Sequence, residues 1–210
     1  GEKFVIFKNN QDKTTKNLTV KSDYLIQIST SAVRYNAGET VTITGTAEPN
    51  KDTTIWIKDQ DKKILLYDIF RSNADGSLSY ELTIHDTFNS GTYSAIVKQG
   101  YDADATLFGV GKYPTSSIVT LIDKTNFALN TKAVLSIVSP PSVNLSILVL
   151  DSNDNVEITD SITSSSSGKN KYTIDLSGLS SGTYRAVVSS VNIQDSVKFS
   201  VGLEAGSGEI

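Results

Sequence analysis

Gly91-Thr-Tyr93 is followed by Phe108-Gly-Val-Gly111, and Gly182-Thr-Tyr184 by Phe199-Ser-Val-Gly202; in both cases the leading Gly and the Phe stand 17 residues apart. Upstream, Pro49 precedes Asp59 by ten residues and Pro141 precedes Asp151 by ten, each Asp closing an apolar stretch (Ile55-Trp-Ile57 and Ile147-Leu-Val-Leu150). Asp59 to Gly91 is 32 residues and Asp151 to Gly182 is 31. A repeat of this length must be recognised before any fold is inferred. It divides the chain into two copies of one unit, residues 24–112 and 116–203, joined by a linker at 113–115. An N-terminal extension (1–23) and a short tail (204–210) flank them.

Within each unit the period of apolar residues is two, as in Val41-Thr-Ile-Thr44, Tyr80-Glu-Leu-Thr-Ile84 and Ser196-Val-Lys-Phe-Ser-Val201, which is the alternation of half-buried strands. Turn signals such as Asn36-Ala-Gly38, Asn73-Ala-Asp-Gly76 and Asp151-Ser-Asn-Asp154 punctuate it every eight to twelve residues. Seven strands are predicted per unit: 24–30, 40–47, 54–58, 64–72, 78–84, 92–98 and 105–110, then 117–123, 132–139, 144–150, 156–161, 171–176, 183–189 and 196–201. The fold class is therefore all-β, two tandem seven-stranded Ig-like β-sandwiches with an N-terminal extra strand. The recurring Gly-Thr-Tyr fits a tyrosine corner, in which a Tyr at the start of the sixth strand buries its ring and bonds the preceding loop.

Composition narrows the chemistry. These 210 residues hold no Cys, no Met and one His, which leaves no disulfide framework, no Cys/His zinc site and no reaction needing two histidines. A net charge of −4 and a pI near 5.0 argue against nucleic acid as a partner. The longest apolar runs have four residues, far short of the roughly 18 that span a bilayer, so no membrane span is expected. The 28 serines and 22 threonines, the absence of thiols and two Asn-x-Ser/Thr sequons at Asn17 and Asn144, the candidate glycosylation sites, favour a secreted chain, while the lack of an initiator Met fits a processed secreted protein and an excised segment equally.

Tyr35-Asn-Ala-Gly38, Val41-Thr-Ile-Thr-Gly45, Ile55-Trp-Ile-Lys-Asp59, Ala74-Asp-Gly-Ser77 and Gly91-Thr-Tyr93 resemble the cysteine-free immunoglobulin-like repeats of bacterial and archaeal cell-surface proteins, which include surface-layer proteins, adhesins and extracellular filament subunits. The second unit carries Asn130-Thr-Lys132 and Ser164-Ser-Ser-Ser-Gly168 at the corresponding places. The resemblance implies an extracellular location and a structural or adhesive role.

The residues that carry chemistry are few. His85 and Asp86 are adjacent on a predicted strand end and so face opposite ways; no enzyme and no cofactor are expected. Three acidic loops, Asp59/Asp61, Asp102/Asp104 and Asp151/Asp154, each place two carboxylates in one turn. They are the calcium candidates, yet none supplies the six to eight oxygens that calcium takes, and Asp also caps turns through its own backbone; no metal site is assigned. Trp56 lies opposite in phase to Ile55 and Ile57, open to core, interdomain or glycan contact.

The N-terminal extension is the most informative segment. Phe4-Val5-Ile6-Phe7 is an apolar run between Lys3 and Lys8, followed by a polar spacer at 9–16. Such a run adds a strand either to its own sandwich or to an open edge on another copy. The function this supports is a structural subunit of an extracellular assembly, filament or surface layer, that forms a homo-polymer through Phe4–Phe7. The alternative is an adhesin-type module recognising a glycan or protein through sandwich-end loops.

Overall fold

A computed structural model describes residues 25–203, and among them every regular element is a strand. The first sandwich contains β1 (Gln27–Thr30), β2 (Arg34–Tyr35), β3 (Thr40–Thr46), β4 (Asp52–Asp59), β5 (Ile64–Arg71), β6 (Ser77–Thr83), β7 (Gly91–Gln99) and β8 (Asp102–Val110). The second contains β9 (Val119–Ile122), β10 (Asn126–Phe127), β11 (Lys132–Val138), β12 (Asn144–Leu150), β13 (Val156–Thr163), β14 (Lys169–Asp175), β15 (Gly182–Ser190) and β16 (Ile193–Val201). Each folds into a three-stranded sheet, β1-β3-β6 or β9-β11-β14, packed on a five-stranded one, β2-β8-β7-β4-β5 or β10-β16-β15-β12-β13. The strand order is the same in both, so the chain is a tandem of two Ig-like sandwiches.

The seven longer strands of each sandwich correspond to the seven predicted, and β3, β4, β11 and β12 alternate buried with more exposed residues. On β4, Thr53, Ile55 and Ile57 are buried while Thr54 and Trp56 are half-buried on the other face, as the pleat requires. The eighth strand is a two-residue piece, β2 or β10, too short to show a period. It runs parallel to the last strand, with Tyr35 beside Val110 and Phe127 beside Val201. The chain therefore crosses from one sheet to the other between β1 and β2, and again between β9 and β10. The reason is aromatic. Phe108 is fully buried, Tyr35 meets it edge-on at 5.9 Å and Tyr93 stacks on it at 5.6 Å. Phe199 takes Phe127 edge-on and Tyr184 stacked, both at 5.8 Å.

The turns repeat as faithfully as the core. The described left-handed residues, six glycines and six others, form six equivalent pairs: Gly38/Asn130, Asn50/Ser142, Lys62/Asp154, Gly76/Gly168, Gly100/Val191 and Gly111/Gly202. Asn130 thus does the work of Gly38, because Asn tolerates the left-handed region. At Gly76 and Gly168 the turn needs glycine on a second count. A Cβ there would meet the carbonyl oxygen of Ala47 or Ser139 across the loop. Val191 is the exception to good turn chemistry: a β-branched residue at φ 41°, wholly exposed at the tip of the β15–β16 hairpin.

That strain gives the first prediction. Val191→Gly should stabilise the second sandwich by about 1 kcal/mol, since it relieves an unfavourable φ and removes no buried contact. Urea unfolding would show it as a raised midpoint at unchanged slope. A lowered midpoint would mean that the Val191 side chain contributes packing the fold needs.

Candidate functional site

The acidic loops resolve into turn caps and an interdomain contact. Asp59 Oδ1 accepts the N–H groups of Asp61 and Lys63 at 3.0 and 2.9 Å, and Asp151 Oδ1 accepts those of Asn153 and Asn155, both at 2.8 Å. The Asn155 side chain and backbone donors hold the Asp151 carboxyl below its ordinary range. Asp154 pairs with Arg185 at 2.6 Å. Asp102 opens β8 opposite Gln99. Among the described residues, no three acidic or imidazole side chains gather in one place. The lone His85 is exposed in the turn after β6, where its carbonyl accepts the Phe88 N–H. Asn144 begins β12, exposed, its Oδ1 accepting the Thr163 hydroxyl at 3.1 Å. Phe4, Val5, Ile6, Phe7 and Asn17 lie outside the described residues.

Asp104 has a role the sequence did not disclose. Its Oδ2 accepts the Ile28 N–H at 2.8 Å and Lys169 Nζ at 2.6 Å, while Lys169 also donates to the Ile28 carbonyl at 2.8 Å. Lys169 belongs to the second sandwich and the other two to the first, so this is a clamp across the seam. A second clamp mirrors it. Asp195 takes Lys62 Nζ at 2.7 Å through Oδ1 and the Thr120 N–H at 2.6 Å through Oδ2. An apolar patch of Ala105, Leu107, Val119 and Val138 belongs to the same seam. The linker is tied down as well. Thr92 Oγ1, fully buried on β7, accepts the N–H groups of Thr115 and Ser116 at 3.0 and 3.1 Å.

The outer face of the five-stranded sheet differs between the two sandwiches. In the first, one row across four strands reads Tyr67, Trp56, Ile96, Ala105. Trp56 and Tyr67 rings lie 5.7 Å apart, and Tyr67 remains 58% exposed. The equivalent row in the second reads Thr159, Leu148, Val187, Ser196. Trp56 therefore lies outside the core, half-buried on the outer face of the sheet beside the exposed Tyr67.

Two further side-chain pairs, one in each sandwich, share a spacing that no motif marks. Tyr80 donates to Asp68 Oδ2 at 2.9 Å and Tyr172 to Asp160 Oδ2 at 2.6 Å, each Tyr 12 residues after its Asp. Partial burial and then the adjacent carboxylate push both phenols from 10.0 up to about 12. The tyrosine-corner hydroxyls donate to carbonyls four residues back, Tyr93 to Asn89 at 2.7 Å and Tyr184 to Ser180 at 2.8 Å.

No family model matches the chain and no curated protein matches it. Solved structures resemble it distantly. Trypsin-activated α2-macroglobulin from Escherichia coli shares 11% identity over 85% of this chain and 16% of that one, with a TM-score of 0.37. The tetra-tandem repeat in the extending region of a large adhesion protein shares 21% over 85% and 49%, with a TM-score of 0.35. Salmonella α2-macroglobulin reacted with methylamine shares 12% over 85% and 15%, at 0.36. The chain spans less than half the length of each. The Ig-like assignment rests on the strand order; these likenesses add nothing about function.

The Tyr–Asp pairs set an alkaline limit. A phenol whose folded pKa is raised from 10.0 to about 12 binds its proton more tightly in the native state, so its contribution is intact below pH 10 and is lost as pH climbs through 12. Stability should fall over that interval as phenolate absorbance rises, and Tyr80→Phe with Tyr172→Phe should flatten the loss. An unchanged alkaline slope in the double variant would refute the assignment. Chelation, in contrast, should leave the melting temperature within a degree or two, because Asp59 and Asp151 spend their Oδ1 atoms on backbone. A larger fall on adding chelator would return these loops to calcium.

Proposed function

We propose that this chain is a structural subunit of an extracellular assembly, a filament or surface layer, whose N-terminal apolar segment is added as a strand to a neighbouring copy. The seam carries this reading. A module that must transmit force or hold a lattice spacing needs its two sandwiches fixed to each other, and two ion-pair clamps, an apolar patch and a linker bonded to Thr92 do that. A freely jointed pair, by comparison, is the default for domains sharing little surface. Among the described residues no helix is long and apolar enough to cross a membrane. Phe4–Phe7 supplies the linking element, since fully burying each of its side chains is worth about 1.5–3 kcal/mol before ordering entropy is subtracted.

A second reading, an adhesin-type module binding a glycan or protein, draws on two equivalent hairpin tips. Tyr101 is 85% exposed and Val191 fully so, and loops at sandwich ends are common recognition sites. Electron microscopy of the purified chain separates the two. The subunit reading expects fibres or sheets from the full chain and a folded monomer from a chain lacking residues 1–10. Assembly that survives the deletion would remove strand addition as the mechanism. Glycan binding that is lost in Tyr101→Ala, with no assembly, would favour the adhesin reading.

A further inference from the structure

β5 is an open edge of the five-stranded sheet of the first sandwich: among the described residues its ladder partners all lie on β4. It is eight residues long and exposes an unusually apolar surface, with Ile64, Leu65, Tyr67 and Ile69 between 40% and 58% exposed. Long apolar edges are normally avoided because they recruit other strands. The second sandwich supplies an internal control. Its β13 occupies the same place with the same fold, yet carries Val156, Glu157, Thr159 and Ser161 at those positions. The fold itself therefore does not ask for this surface.

Both edges share one protective device. Asp68 accepts the Ile69 N–H at 2.8 Å and Asp160 the Ser161 N–H at 2.7 Å, both from the strand's outer side. By the alternation of an antiparallel ladder, Tyr67 and Arg71 turn their N–H and C=O groups to that same open side. Those groups are what β5 offers an added strand.

We propose that β5 is the acceptor edge for residues 2–8 of a second copy, an inference that rests on the strand-donation reading above. Charge chooses the register. Arg71 has only a 3.9 Å contact with Asp52, both side chains well exposed. An antiparallel strand with Glu2 opposite Arg71 places Phe4 opposite Ile69 and Ile6 opposite Tyr67, apolar against apolar on the outer face. Phe7 then falls beside the half-buried Leu66 on the inner one. The stretch from residue 8 to residue 24 reaches at most about 60 Å when extended, enough to run from one copy to the next.

The absence of cysteine makes the test clean. Phe4→Cys and Ile69→Cys in one chain, which leave Glu2 and Arg71 in place and are oxidised during assembly, should give a ladder of disulfide-linked copies on a denaturing gel. A closed monomer would mean that the segment pairs with its own sandwich and would overturn the proposal. So would polymers that form without crosslinks, although strand donation to another edge would then survive. In parallel, Tyr67→Lys with Ile69→Lys should abolish assembly while circular dichroism stays that of the wild type. Thr159→Lys with Ser161→Lys on the second sandwich should leave assembly intact. Assembly by the chain lacking residues 1–10 would defeat strand donation itself, and a full chain that stays monomeric would defeat both.

Discussion

Each sandwich is organised by one buried phenylalanine ring and the two aromatic side chains that hold it. Phe108 sits on the last strand between Tyr93, stacked from the neighbouring strand, and Tyr35, edge-on from the short parallel strand. Phe199, Tyr184 and Phe127 repeat the arrangement. Because the edge-on ring comes from the chain's first crossing between sheets, this contact decides where that crossing ends. Because the stacked tyrosine is bonded to the loop before it, the same contact anchors the turn into the sixth principal strand. Truncating a buried ring of this size typically costs 3–5 kcal/mol, a large share of the 5–15 kcal/mol that holds a domain together.

The seam between the sandwiches is a different kind of contact. Its apolar patch is small, and its two lysines keep 35% and 51% of their side-chain surface, so each ion pair adds modestly to stability after solvent screening. What the clamps add is direction. Asp104 is held by a backbone N–H of β1 and Asp195 by one of β9, so each carboxylate is fixed on its own sandwich before the partner lysine arrives. Charged groups preset in this way select one orientation over others more than they strengthen it.

Much of this was readable from spacing alone. The 17-residue interval, the period of two and the Gly-Thr-Tyr element are local patterns, and local patterns determine strands, turns and corners. Asn130 shows the limit of reading residue types: it differs from Gly38 in chemistry yet takes the same left-handed turn. The two-residue strands at Arg34 and Asn126 were invisible because a period needs more residues than they have, and parallel pairing with the last strand is decided by the buried rings. The acidic loops illustrate the same divide. Asp59 and Asp151 bond their own turns, a local rule, whereas Asp104 acts through Lys169, 65 residues away, and no motif announces that. The Tyr–Asp pairs were legible in principle, since Asp68/Tyr80 and Asp160/Tyr172 repeat one interval, but they required comparing the copies at polar positions as well as apolar ones.

The two clamps and the bonded linker should make the two sandwiches one rigid body, and rotational diffusion reads this out. Backbone ¹⁵N relaxation across both sandwiches should fit a single anisotropic diffusion tensor, with Thr115 and Ser116 as ordered as the strands they join. Two separate tensors, together with low order parameters at those linker residues, would contradict it.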